Sequence, residues 1–319
     1  MNKTDLQLIG ENTVEQWGRF IEIISPYRSG LWNYCRKLTG SPWDAEDLLQ
    51  DTLLKSFASL SALSHRQQAL TAKSFLFRVA TNHWIDQCRR MKIKMDDNVD
   101  EHQLGVQMND SLEVNEALMM LARHLTPKQA VVFILMESFE FTAKETAELI
   151  ATTETAVNAI LYRARGNLIK VQSSLRKEDS TIRKQEEGKA VLSEAFKIFL
   201  DAFNRKDYKG LARLLIDEAT FSFVSMGSTE YGKDTITKKS LNPNKGTKLS
   251  KDLFVYADTL WEQPAIIILL NTEHGQMLNN INTLEWENDK IVRWKDYSFC
   301  RDFMQTAANE LGLPLSDFI

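Results

Sequence analysis

The sequence predicts a multidomain chain: two all-α domains followed by an α+β domain. Three observations carry this. Between residues 14 and 175, apolar residues recur at steps of three and four, and Ser or Thr caps with prolines mark helix starts. Two polar stretches break that pattern: residues 96–116, with seven Asp/Glu and no Lys/Arg, and the highly charged, glycine-ended residues 177–189. Beyond Ala219 the period becomes two, in β-branched and aromatic runs bounded by turn residues. Helices first and strands afterwards give separate α and α+β parts. The expected boundaries are 1–95 and 112–175 for the helical domains, 189–319 for the α+β domain, and linkers at 96–111 and 176–188.

Composition limits the function. A chain of 319 residues with 43% hydrophobic and 26% charged residues has room for several cores. A net charge of −4 excludes a globally basic nucleic-acid binder, so any DNA surface is local. Cys35, Cys88 and Cys300 are odd in number and far apart, which fits reduced thiols and no metal site. The longest apolar run, residues 265–270, is strand-sized, and the first residues lack a basic-then-apolar export signal. The expected location is cytoplasmic. Without a phosphate-cradling glycine loop or metal-ligand cluster, no cofactor is expected.

In chain order, Val14, Trp17, Phe20, Ile21, Ile24, Leu31, Tyr34, Cys35 and Leu38 mark a helical segment that Pro26 is expected to interrupt. Ser41-Pro42-Trp43-Asp44 is a helix start with a candidate cap and a proline at the first position. Ala45, Leu48, Leu49, Thr52, Leu53 and Phe57 then form the buried face. Asp44, Asp47 and Asp51 share the opposite one, where a basic partner would relieve their repulsion. From residue 75 to 91 a second helix buries Leu76, Phe77, Val79, Ala80, Trp84 and Cys88, while Arg78, Asn82, Asp86 and Arg89 align. Residues 71–94 hold six Lys/Arg against one Asp, a local basic stripe suited to phosphates, beside aromatics suited to stacking on bases.

After the acidic stretch, residues 112–124 read as a helix. Thr126-Pro127-Lys128-Gln129 and Thr142-Ala143-Lys144-Glu145 are capping boxes opening two more. A turn at Ala151-Thr152 leads to a helix from Thr153, with Val157, Ile160, Leu161, Ala164 and Leu168 buried and Thr155, Asn158, Tyr162 and Arg165 on the free face. Two short helices and a tight turn into a polar, basic helix make a helix-turn-helix. Residues 190–204 and 208–216 are then read as helices and 219–225 as a strand. A short helix opens at Tyr231-Gly232-Lys233-Asp234. Strands follow at 248–260, 264–270, 276–286 and 291–297 in an antiparallel sheet, and a helix spans 300–311.

On these motifs the chain resembles a known family. DAEDLLQDTLLKSF and FLFRVATNHWIDQCRR, within residues 25–93, are similar to the core-binding and promoter-melting domain of bacterial RNA polymerase sigma factors of the extracytoplasmic-function class. LTPKQAVVFILMESFEFTAKETAELIATTETAVNAILYRARGNL, within 112–175, resembles that family's −35-reading domain. The resemblance implies transcription initiation with core RNA polymerase and promoter DNA as partners. It implies that Asp44, Glu46, Asp47, Leu48, Gln50, Asp51 and Leu53 grip polymerase. It places Asn82, Trp84, Ile85, Asp86, Arg89 and Arg90 on the −10 element and its unpaired strand, and Thr155, Asn158, Ala159, Arg163 and Arg165 on the −35 element; Arg78, aligned on the same basic stripe, is a further expected DNA contact. Where the family commonly has Ser-Arg, this chain has Ala159-Ile160, one DNA-contacting arginine fewer.

Residues 189–319 resemble the cone-shaped, SnoaL-like branch of the nuclear transport factor 2-like fold, through EYGKDTITKKSL and NDKIVRWKDYSFCRDFMQTAANELGLP. The resemblance implies a regulatory domain in contact with the sigma domains. SnoaL relatives include enzymes with an Asp/His pair, but here Ser298-Phe299 stands where the carboxylate is expected and His274 lies in a turn. No acid/base pair is defensible by spacing, so no catalytic activity is expected. The competing reading is a ligand-sensing or enzymatic SnoaL-like protein with an N-terminal DNA-binding regulator. The acidic face of residues 44–51 discriminates, because such a regulator needs no polymerase-docking helix.

Overall fold

The computed structural model describes residues 5–60, 71–96, 124–178, 194–243 and 252–316. It divides into two compact units, Met1–Arg183 and Lys184–Ile319. The expected helix at 112–124 and both linkers fall wholly or largely outside the described residues.

In the first unit, α1 (Asp5–Thr39), α2 (Pro42–Ala58) and α3 (Ala72–Asp96) pack around a shared core. Leu31, Tyr34 and Cys35 of α1, Leu48 and Leu49 of α2, and Leu76 and Phe77 of α3 are all buried. Pro26 does not interrupt α1, contrary to expectation. A proline deprives the carbonyl four residues earlier of its donor. Here the Ser25 hydroxyl donates to that carbonyl, of Glu22, at 3.0 Å. The start of α2 also departs from expectation: Ser41 has extended backbone but makes no side-chain capping bond. The next three helices are α4 (Pro127–Ser138), α5 (Ala143–Leu149) and α6 (Glu154–Glu178). Both capping boxes form, Thr126 with Gln129 and Thr142 with Glu145. The α5–α6 turn passes through Ala151 at φ 53° and is closed by Thr152 N–H on the Ala147 carbonyl at 2.9 Å.

The two helical groups meet directly. Phe139, just past α4, lies 5.5 Å from the Tyr34 ring and 5.6 Å from that of Phe77, both edge-on, and Phe141 is 5.3 Å from Phe77. Lys73 stands over the Phe141 ring at 4.7 Å. Centroid separations of this size fit favourable aromatic geometry.

The second unit runs α7 (Glu194–Asn204), α8 (Tyr208–Leu214), β1 (Leu215–Phe223), β2 (Ser228–Tyr231), α9 (Lys233–Lys238), β3 (Leu253–Leu260), β4 (Gln263–Thr272), β5 (Gly275–Glu287), β6 (Lys290–Asp296) and α10 (Arg301–Leu311). The sheet order is β2-β1-β6-β5-β4-β3. It is mixed rather than antiparallel throughout, since β1 runs parallel to β6. Strand β2 was not expected, because four residues are too few for period-two alternation to register. The second helix ends at Leu214, because Leu215 turns extended and buries itself opposite Ile291. Phe199 and Phe203 of α7 and Leu211 of α8 join Phe221, Ile268 and Trp294 in one core. The Asn204 side chain pins α7 to β3 by bonding both backbone groups of Val255, at 2.9 and 2.8 Å.

Candidate nucleic-acid interface

Helix α2 has two unlike faces. Asp44, Asp47 and Asp51 are exposed, Gln50 is half-buried, and the apolar Leu54 lies 49% exposed one turn beyond Asp51. Glu46, Leu48 and Leu53 do not belong to this face, which corrects the surface role expected of them. Glu46 is fully buried, held by Arg28 at 3.3 Å and by the Gln50 amide at 2.6 Å, and both leucines are in the core. A side chain without accessible surface cannot meet a partner.

Asp51 also ties α2 to α3. The buried His83 bonds the Asp51 carboxylate through Nε2 at 2.9 Å, while the Lys55 ammonium contacts Nδ1. The exposed acidic face and the basic helix are therefore joined by a histidine.

On α3, Asn82, Asp86, Arg89 and Arg90 are exposed, Trp84 is half-buried, and Arg89 pairs with Asp86 at 3.2 Å. Phe77 is core, as read from the sequence. Arg78 departs from its expected place in the open basic stripe. Its guanidinium donates to the Glu148 carbonyl of α5 at 3.0 Å, so it joins the two helical groups. On α6, Thr155, Asn158, Ala159 and Arg163 are exposed, and Tyr162, 81% exposed, stands among them. Arg165 is exposed but turned sideways, its Nε bonding Glu137 of α4 at 3.1 Å. The Thr153 hydroxyl caps this helix through Ala156 N–H at 3.2 Å, which fixes its polar first turn.

Against known families, residues 23–92 match Sigma-70 region 2, and residues 115–168 match Sigma-70, region 4. Both matched stretches lie in the N-terminal part of the chain. The acidic α2 and basic α3 lie in the region 2 domain, and the capped helix-turn-helix lies in region 4. The chain is 26% identical over 207 residues to the ECF RNA polymerase sigma factor SigG of Mycobacterium tuberculosis, covering 53% of this chain and 54% of that one. It is 27% identical over 154 residues to SigM of Bacillus subtilis, covering 46% of this chain and 91% of that one. It thus spans about half the length of the first of these relatives. Among solved structures, the extracytoplasmic function sigma factor SigJ of M. tuberculosis covers 93% of this chain and 100% of its own at 16% identity and TM-score 0.34. An NTF-2 like protein of unknown function from Burkholderia xenovorans covers 33% of this chain and 79% of its own at 15% identity and TM-score 0.27. Among the described residues no helix is long and apolar enough to cross a membrane.

The C-terminal unit holds a polar cluster that sequence spacing did not reveal. Asn280, Asn282 and Asp296 are buried on neighbouring strands. Both amides donate to Asp296 Oδ2, at 2.7 and 3.3 Å, and Trp294 Nε1 donates to Asn282 Oδ1 at 2.8 Å. The available signal was parity: Asn280 and Asn282 alternate in β5, as Trp294 and Asp296 do in β6, so each pair shares a face.

Proposed function

We propose that the chain is a transcription initiation factor that binds core RNA polymerase and directs initiation at specific promoters. The observation that carries the reading is the ordered pair of Sigma-70 region 2 and region 4 matches. The exposed Asp44, Asp47 and Asp51 face, with Gln50 and Leu54 beside it, meets polymerase through a surface of complementary charge. Asn82, Trp84, Asp86, Arg89 and Arg90 meet the −10 element and its unpaired strand, where cations take phosphates and a ring takes a base. Thr155, Asn158, Ala159, Tyr162 and Arg163 enter the −35 major groove from the N-terminal half of α6. The C-terminal unit modulates this activity and does no chemistry of its own. The site of action is the cytoplasm, with polymerase.

The test separates the two faces. Arg89→Ala weakens promoter binding by about 1–3 kcal/mol and leaves co-elution with core polymerase unchanged. Asp47→Ala does the reverse. If both substitutions act on the same step, the division of faces is wrong.

A further inference from the structure

We propose that the C-terminal unit binds a small organic cation, an apolar body carrying a protonated amine, in the cavity between α7, α8 and the inner face of the sheet. This inference is independent of the polymerase reading. The cavity, about 50 Å³, is walled by Phe203, Tyr208, Phe221 and Trp294 and floored by Asn280, Asn282 and Asp296. A single water needs roughly 10–15 Å³ by the same measure, so the space suits only a handful of non-hydrogen atoms.

Charge selects the ligand class. Asp296 is 7% exposed. Its Oδ2 accepts from the amides of Asn280 and Asn282, and its Oδ1 accepts from the Ser298 N–H at 2.9 Å and from the Ser298 hydroxyl. Two donors on each oxygen satisfy its hydrogen-bonding capacity. All four are neutral, and among the described residues no ion pair is formed with Asp296, whereas buried charges are ordinarily paired. Among the described residues, none that lines the cavity is basic. Lys206, on the turn after α7, is not among them and donates to the Leu253 carbonyl at 2.6 Å.

Hydrogen bonding narrows the choice. Because both amide NH₂ groups turn to Asp296, the orientation of each side chain is fixed and its oxygen is an acceptor. Asn280 Oδ1 takes the Ile281 N–H at 2.7 Å and Asn282 Oδ1 takes the Trp294 indole at 2.8 Å, which leaves each carbonyl one lone pair. An ammonium supplies donors for those lone pairs, its charge answers the field of Asp296, and the aromatic walls favour a cation over a neutral group. An anionic ligand meets Asp296 unfavourably, and a neutral one leaves the charge as it was.

Calorimetric titration of the full-length chain tests this with three probes that share one 3-methylbutyl body: 3-methylbutylammonium, 3-methylbutan-1-ol and 4-methylpentanoate. The ammonium is expected to bind at least about tenfold tighter than the alcohol, and the carboxylate not at all. Asp296→Asn, which keeps the shape and removes the charge, brings ammonium and alcohol within about twofold. Equal or tighter binding of the alcohol, failure of the ammonium to bind, or an undiminished ammonium preference in Asp296→Asn overturns the proposal. Should that variant not fold, the wild-type comparison of the three probes decides alone.

Discussion

Glu46 and Asp47 are neighbours in sequence with opposite tasks. Glu46 has no exposed side chain and holds Arg28 and Gln50. Removing one partner of a buried pair strands the other, so Glu46→Ala costs roughly 3 kcal/mol in urea unfolding. Asp47 is exposed, and Asp47→Ala leaves stability within about 0.5 kcal/mol. If Asp47→Ala proves as destabilising as Glu46→Ala, the assignment of faces fails. The Thr142–Glu145 box is a second residue-scale case. Glu145 accepts from the Thr142 N–H at 2.8 Å and from its hydroxyl at 2.7 Å. These bonds hold its carboxyl below the ordinary 4.5. A depressed carboxyl contributes stability that is present above the ordinary value and is lost as pH falls through the lowered one. Protection of the α5 amides, taken relative to their intrinsic exchange at each pH, should therefore fall on acidification below about pH 4.5, where the ordinary carboxyl titrates. Glu145→Gln removes that dependence, and Thr142→Ala costs about 1 kcal/mol at neutral pH. An unchanged acid profile in Glu145→Gln would refute the cap as its source.

Among elements, the contact of α1 and α3 with the α4–α5 segment bears most on function. Tyr34, Phe77, Phe139 and Phe141 form one aromatic cluster, and Arg78 of α3 bonds Glu148 of α5. Promoter elements about 25 base pairs apart are separated by ~85 Å at 3.4 Å per base pair. On the proposed reading, helices joined this closely do not span that separation, so engaging both elements calls for the cluster to part. Phe139→Ala should raise the radius of gyration of the free protein in solution scattering and strengthen its association with core polymerase. An unchanged radius with weakened association would contradict this. Element starts were legible where chemistry marks them, as at Thr126-Pro127 and Thr142, because a cap and its partner lie three residues apart. Pro26 misled because its compensation is the Ser25 hydroxyl on Glu22, a tertiary-independent bond that periodicity does not encode. The parallel β1–β6 pairing and the short β2 escaped because strand partnership is set across the sheet and not along the chain.

For the whole molecule, the succession of helices first and a sheet with helices afterwards was readable from the change of period. The exposed acidic and basic residues were readable too. The burial of Glu46 and the diversion of Arg78 and Arg165 into internal bonds were not, because each depends on a partner 18, 70 or 28 residues away. The same holds for Asp296 and the amides 14 and 16 residues before it. Cutting the chain between its two units, after Arg183, should change promoter output in cells, and unaltered output would remove the regulatory role given to the C-terminal unit. The central claim is tested most directly by reconstituted transcription. Purified full-length chain added to core RNA polymerase and a library of promoter fragments should co-elute with the core enzyme and start transcripts at defined positions downstream of a common −35 and −10 pair. A chain that neither co-elutes nor starts a defined transcript would contradict the account.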